Sequence, residues 1–128
     1  MVPSSTPGVL LGQSHRLAGG PRIGLRLARS RDLPGIGALA QRAGIELEGL
    51  ELARLVRFHP RRRIVICATA LLGQRETLVG VGEIDLGEGT GGQPTRLIVD
   101  ARIADGLEQL LRRALVDQAG VVNRSLAA

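Results

Sequence analysis

RLIVDARIADGLEQLLRRAL, residues Arg96 to Leu115, is the stretch on which the fold turns. Leu97, Ile98 and Val99 form a short apolar, β-branched run, which reads as a buried strand. Asp100 and then Asp105–Gly106 interrupt it, and leucines return at helical spacing. Strand, polar turn and helix in that order bring the unpaired N–H groups of a helix N-terminus beside a strand end, a place that suits anions. The spacing predicts a helix from Ala104 to about Ala119, with Leu107, Leu110, Leu111, Ala114 and Leu115 on one face and Gly120 as its end.

Upstream of this stretch, Gly87–Pro94 (GEGTGGQP) is a glycine-rich connection. It lacks the Lys and Ser/Thr of a P-loop and opens no helix. Ile64–Leu72 (IVICATALL) is a continuous apolar run that reads as a central strand, and Glu76–Leu86 reads as its hairpin partner across Gly73–Gln74–Arg75. Gly80 and Gly82 share one face of that returning strand, so a helix, a ligand or another backbone can come close there. Glu83 and Asp85 lie on the opposite face from Gly82 and Ile84. Arg61-Arg62-Arg63 is either a solvated strand entry or an anion patch.

Two helices precede the hairpin. Leu33, Ile36, Leu39, Ala40 and Ala43 recur at helical spacing behind Asp32 as N-cap, and Gly44 takes the C′ position. A second helix is predicted over Glu46–Phe58, with acids in its first turns, arginines in its last, and Pro60 as its stop. His59 stands at that stop with no catalytic partner in view. Arg22–Ala28 alternates and reads as a half-buried strand. Residues 1–21 carry no periodicity and read as a disordered tail that includes His15; 22–120 form the single folded domain and 121–128 a short tail. The order is β, α, α, β, β, β, α, which makes the fold class α+β.

Composition limits the chemistry. Aliphatic side chains supply the core, since Phe58 is the sole aromatic among 128 residues. Without aromatic platforms, single-stranded nucleic-acid binding is disfavoured. The net charge is +5, and its basic side consists of arginines spread along the chain, which is weak evidence for nucleic acid. Cys67 stands alone in an apolar run, so it supports neither an intrachain disulfide nor a zinc set and reads as a buried thiol in a cytoplasmic protein. No apolar run is long enough to cross a bilayer, and no metal site is expected.

Four segments together resemble the GNAT superfamily of N-acetyltransferases. RLARSRDLPGIGALAQRAG resembles its opening strand and first helix, and IVICATALLGQRETLVGVGEIDL its central hairpin. LIVD resembles the strand that pairs with the pantetheine arm of acetyl-CoA, and GLEQLLRRAL the helix behind the pyrophosphate loop. The resemblance spans about Arg22 to Ala119 and implies a mixed, largely antiparallel sheet flanked by helices. It implies acetyl-CoA as cosubstrate, held along Ile98 and Val99 with its phosphates near Arg102, Asp105, Gly106 and Leu107. It also implies an amine acceptor of unidentified kind and a carboxylate base, Glu83 first and Asp85 second.

The chain departs from the family's pattern in two places, so what it resembles is a degenerate or truncated member. The family's Gln/Arg-x-x-Gly-x-Gly/Ala loop is replaced by Arg102–Glu108, RIADGLE, where Asp105 and Glu108 bring negative charge toward a diphosphate. VVNRSLAA is too short for the family's closing strands, so the acceptor side is missing unless a second copy supplies it. The alternative to an enzyme is a non-catalytic GNAT-like interaction or dimerisation module, the open sheet edge being a surface that a second copy could cover. A truncated gene product ranks behind both.

Overall fold

The computed structural model describes residues 10–18, 20–57, 62–86, 93–103 and 106–127, and of 123–127 the backbone alone. Five strands lie side by side in chain order: β1 (Ser14–Arg16), β2 (Arg22–Leu27), β3 (Arg63–Leu72), β4 (Arg75–Asp85) and β5 (Arg96–Val99). Helices α1 (Leu33–Arg42) and α2 (Gly49–Val56) link β2 to β3, and α3 (Leu107–Ala127) follows β5. The class is α+β, as expected. Every pairing among the described strands is antiparallel, so the mixed character expected of the sheet is not found there.

Two apolar layers hold the sheet. Ile64, Ile66, Ala68 and Ala70 of β3 pack with Leu107, Leu111 and Leu115 of α3. Val65 and Cys67 point the other way, to Ile36, Leu39 and Leu55 of α1 and α2. Both faces of β3 are therefore covered, which is why IVICATALL is continuous rather than alternating. Each side chain buried as fully as Leu111 or Leu115 is worth about 1.5–3 kcal/mol in removal of apolar surface from water.

Gly80 and Gly82 form the floor under α3. A methyl group at Gly80 would lie 2.8 Å from Leu111 Cδ1, and one at Gly82 2.7 Å from Leu115 Cδ1. Of the three neighbours that small residues there could admit, the structure places the helix. Between them and the hairpin turn, Ala68 pairs with Gly80 but Thr69 with Leu78, so Val79 is an extra residue in β4. This bulge keeps Val79 in the α3 layer while Leu78 packs toward α1.

Local signals account for most element ends. At the end of α1, Gly44 has φ +71°, its N–H donates to the Gln41 carbonyl, and the Ile45 N–H donates to the Ala40 carbonyl. That is a Schellman ending on the glycine expected to provide it. The β3–β4 turn is two residues long, Gly73 and Gln74, both with positive φ.

Four expectations are corrected. Ser14–Arg16, inside the expected tail, pairs with Arg22–Gly24, and Leu17 behind it is buried. Three residues carry too little pattern to be read alone; the pairing partner supplies the strand. At the other end α3 runs through Gly120 to Ala127, so 121–127 is helix rather than tail. One helical glycine costs about 1 kcal/mol, while Ala119 and Val122 keep core contact on either side. Helix α2 spans Gly49–Val56, shorter than expected, with Phe58 and His59 outside the described residues. Asp32 precedes α1, yet its carboxylate makes no cap bond to that helix and instead accepts from Arg26 and from the Arg29 N–H. No helix among the described residues is long and apolar enough to cross a membrane.

Candidate functional site

Strand β5 is an edge of the sheet, and its four residues end at Asp100, where the chain turns toward α3. Asp100 is 4% exposed and organises that turn. Its Oδ1 accepts from the Arg102 backbone N–H at 3.0 Å and from Arg102 Nε at 3.1 Å; its Oδ2 accepts from Arg102 Nη2 at 2.8 Å. Arg42, at the end of α1, donates from Nε to the same Oδ2 at 3.2 Å and from Nη2 to the Leu78 carbonyl at 2.9 Å. The hydrogen bonds from Arg102 hold the Asp100 carboxyl well below the usual carboxylate range against the opposing effect of burial, and Arg42 adds to them.

Beside this turn lies a groove of ≈ 530 Å³ lined by Val99, Asp100, Ile103, Gly106, Leu107 and Glu108, among others. Gly106 has φ +103°, a conformation that L side chains rarely adopt, and it delivers the chain into α3. Two carboxylates line the groove, but neither stands uncompensated. Asp100 faces two guanidinium groups, and Glu108 lies 3.8 Å from Arg112 one turn further along α3. The Arg102 side chain is 66% exposed and meets Asp100 through Nε and Nη2, leaving Nη1 out of that pairing. The arginines that compensate these carboxylates stand beside the groove rather than in its lining.

Glu83 sits elsewhere. It pairs with Arg96 across β4 and β5, three register steps from the Gly80–Val99 pair beside the turn. At about 3.3 Å per residue that is roughly 10 Å along the strand. Glu83 is 2% exposed and held under α2: Arg54 Nη2 donates to both carboxylate oxygens at 3.3 Å, and Arg96 Nε is 4.0 Å away. Arg96 in turn donates to Glu51 of α2 at 2.8 Å. The hydrogen bond from Arg96 lowers the Glu51 carboxyl, helped by the Glu48 backbone N–H. Four charges therefore alternate across the α2–sheet interface.

The third buried carboxylate, Asp32, is likewise ion-paired. Arg26 meets it through Nη1 at 2.6 Å and Nη2 at 2.8 Å. Burial pushes the Asp32 carboxyl up, but the bonds from Arg26 and the Arg29 N–H outweigh it and leave it lowered. Cys67 Sγ lies 3.9 Å from Asp32 Oδ2, and burial together with that carboxylate pushes the thiol up to about 12. Among the described residues no buried side-chain nitrogen or oxygen lacks a partner.

Of the residues expected to hold a cofactor, the structure brings Val99, Gly106 and Leu107 to one groove, with Arg102 beside it. Ile98 turns away and is buried against α1 and α2. Asp105 lies outside the described residues. Asp85 is exposed at the end of β4, its N–H donating to Thr95 Oγ1. Sequence reading passed over Asp100 as a break in the apolar run. The cue was present, a carboxylate two residues before an arginine at the end of a strand, the pattern of an Asx turn. Arg42, 58 residues away in sequence, left no such cue. Comparison of the chain with protein-family models, with curated proteins and with solved structures found no match.

Proposed function

We propose that this chain is a GNAT-like N-acetyltransferase domain that binds acetyl-CoA along the β5 edge and transfers the acetyl group to an amine. The observation that carries the reading is the junction itself: an edge strand running through an arginine-bearing turn into a long helix, beside a groove of ≈ 530 Å³. An edge strand offers main-chain hydrogen bonds to an extended ligand arm. Arg102 and the first N–H groups of α3 suit a diphosphate. With the phosphates at the turn, an arm laid along β5 reaches toward Glu83. In the transfer the amine nitrogen attacks the thioester carbonyl carbon, the C–S bond breaks, the thiolate leaves, and the amine proton passes to water or a carboxylate. Glu83 serves as that base only if Arg54 releases it, because it is covered by α2.

The burial and pairing of Glu83 favour a second reading, a non-catalytic module of the same build that binds a partner or a second copy through the β5 edge. A thermal melt with acetyl-CoA separates the two. A ligand that binds only the native state at a hundred times its Kd adds about 2.7 kcal/mol of stability, and Arg102→Ala should reduce the gain. No rise in Tm at millimolar acetyl-CoA overturns the acetyltransferase reading. A monodisperse monomer by light scattering counts against dimerisation.

A further inference from the structure

Most of the buried negative charge is matched by a committed arginine. Arg26 serves Asp32, Arg42 and Arg102 serve Asp100, and Arg54 with Arg96 serves Glu83. A second group of basic residues has no such duty. Between β1 and the first two turns of α3 opens a cavity of ≈ 440 Å³, lined by His15, Arg16, Leu17, Gly106, Gln109 and Arg113, among others. No Asp or Glu lines it among the described residues. Neither Arg16 nor Arg113 forms an ion pair with a described carboxylate, in contrast to the five arginines above.

The elements explain how these residues meet. His15 pairs with Ile23, a core residue of the α3 layer, and its Nε2 donates to the Leu10 carbonyl at 2.8 Å. Gln109 and Arg113 are one turn apart on α3, and Leu17 and Leu110, both buried, form the cavity's apolar base. Arg16 and Arg113 both border the cavity with no described carboxylate in its lining. An anion seated there gains charge-assisted hydrogen bonds without displacing an ion pair.

We infer that the β1–α3 cavity is a binding site for a phosphate group, either free phosphate or the phosphomonoester end of an organic ligand. It adjoins the groove at the β5–α3 turn, sharing Gly106 and Gln109 with it, but His15, Arg16 and Arg113 line only the first, and Asp100 and Glu108 only the second. The inference does not rest on the acetyltransferase reading, and either can fail alone.

The test is an NMR titration of the His15 ring in the full chain at constant ionic strength, with inorganic phosphate in one arm and glycerol 3-phosphate in the other. His15→Asn assigns the signal. A saturable shift is expected, and Arg113→Gln should weaken binding by about tenfold, the loss of one charge-assisted hydrogen bond. Arg102→Gln and the distant Arg75→Gln should change it less than about twofold. Tighter binding of glycerol 3-phosphate points to an organic ester, tighter binding of inorganic phosphate to the free ion; both uphold the site. No saturable shift up to millimolar phosphate overturns it. So does equal weakening by Arg113→Gln and Arg75→Gln, which would mean general charge attraction, or weakening by Arg102→Gln alone, which would place the anion at the other groove. A melt of each variant identifies any that fails to fold, and Arg16→Gln then provides the second measurement.

Discussion

Replacing Gly82 with alanine tests how α3 is seated. The added methyl would stand 2.7 Å from Leu115 Cδ1 and 3.0 Å from Leu97 Cδ2. Carbon atoms in good contact are about 3.5–4.0 Å apart, so the two leucines must give way by roughly an ångström in total. Leu115 is fully buried and cannot swing into solvent without opening the core, while Leu97, its partly buried neighbour on β5, has more room to give. Overpacking of this kind costs about 1–3 kcal/mol, against a gain of about 0.5–1 kcal/mol from replacing a strand glycine. The expected net loss is about 1–2 kcal/mol, or roughly 4–8 °C in Tm for a chain of this size. Urea unfolding of Gly82→Ala, Leu115→Ala and the double variant measures it. In the Leu115→Ala background the nearer contact is gone and only Leu97 remains, so the cost of Gly82→Ala should shrink. Gly49→Ala, where nothing lies within 4 Å of the added methyl, is the control and should be neutral or stabilising. A Gly82→Ala variant as stable as the parent, with no coupling to Leu115, would refute the close seating of α3 on β4.

Asp100 and Asp32 are both lowered, so their contribution to stability is present above the unfolded carboxylate range, near pH 4, and is lost as pH falls through their folded values. Acid unfolding followed by circular dichroism should therefore be less steep in Asp100→Asn, which should also be less stable at pH 7. Cys67 is raised to about 12, so its contribution is complete below the unfolded thiol value of about 8.5 and declines as pH rises toward the folded one. Native protein at pH 8 should resist a thiol reagent that labels the urea-unfolded chain at once; rapid native labelling would contradict its burial. Gln74 holds φ +69° in the two-residue turn, where asparagine is better suited, so Gln74→Asn should raise stability by up to about 1 kcal/mol in the same urea assay.

The resemblance that gives the β5–α3 turn a specific ligand also makes Asp105 and Glu108 the main objection to that ligand. Asp105 lies outside the described residues, and Glu108 lies 3.8 Å from Arg112 on its own helix. Asp100, a further carboxylate at the turn, is paired with two arginines, one of them from α1. Glu83 is a separate case. Its place on the hairpin suggests a base, whereas the structure encloses it under α2 between Arg54 and Arg96.

What the amino-acid sequence determined by itself is local. Alternation in RIGLRL, the unbroken apolar run of β3, a hairpin turn after Leu72 and the glycine ending of α1 each depend on neighbours within a few residues and are legible, though the turn is one residue tighter than expected, Arg75 opening β4. The glycines at 80 and 82 announced a close neighbour but not which one. Tertiary structure alone decided the rest. It made a strand of Ser14–Arg16 by pairing, carried α3 through Gly120 by packing, and assigned a particular arginine to each buried carboxylate. The physical reason is that charge pairing and packing act between groups far apart in the chain. Arg42 and Asp100 are separated by 58 residues and meet only because α1 lies across the end of β5.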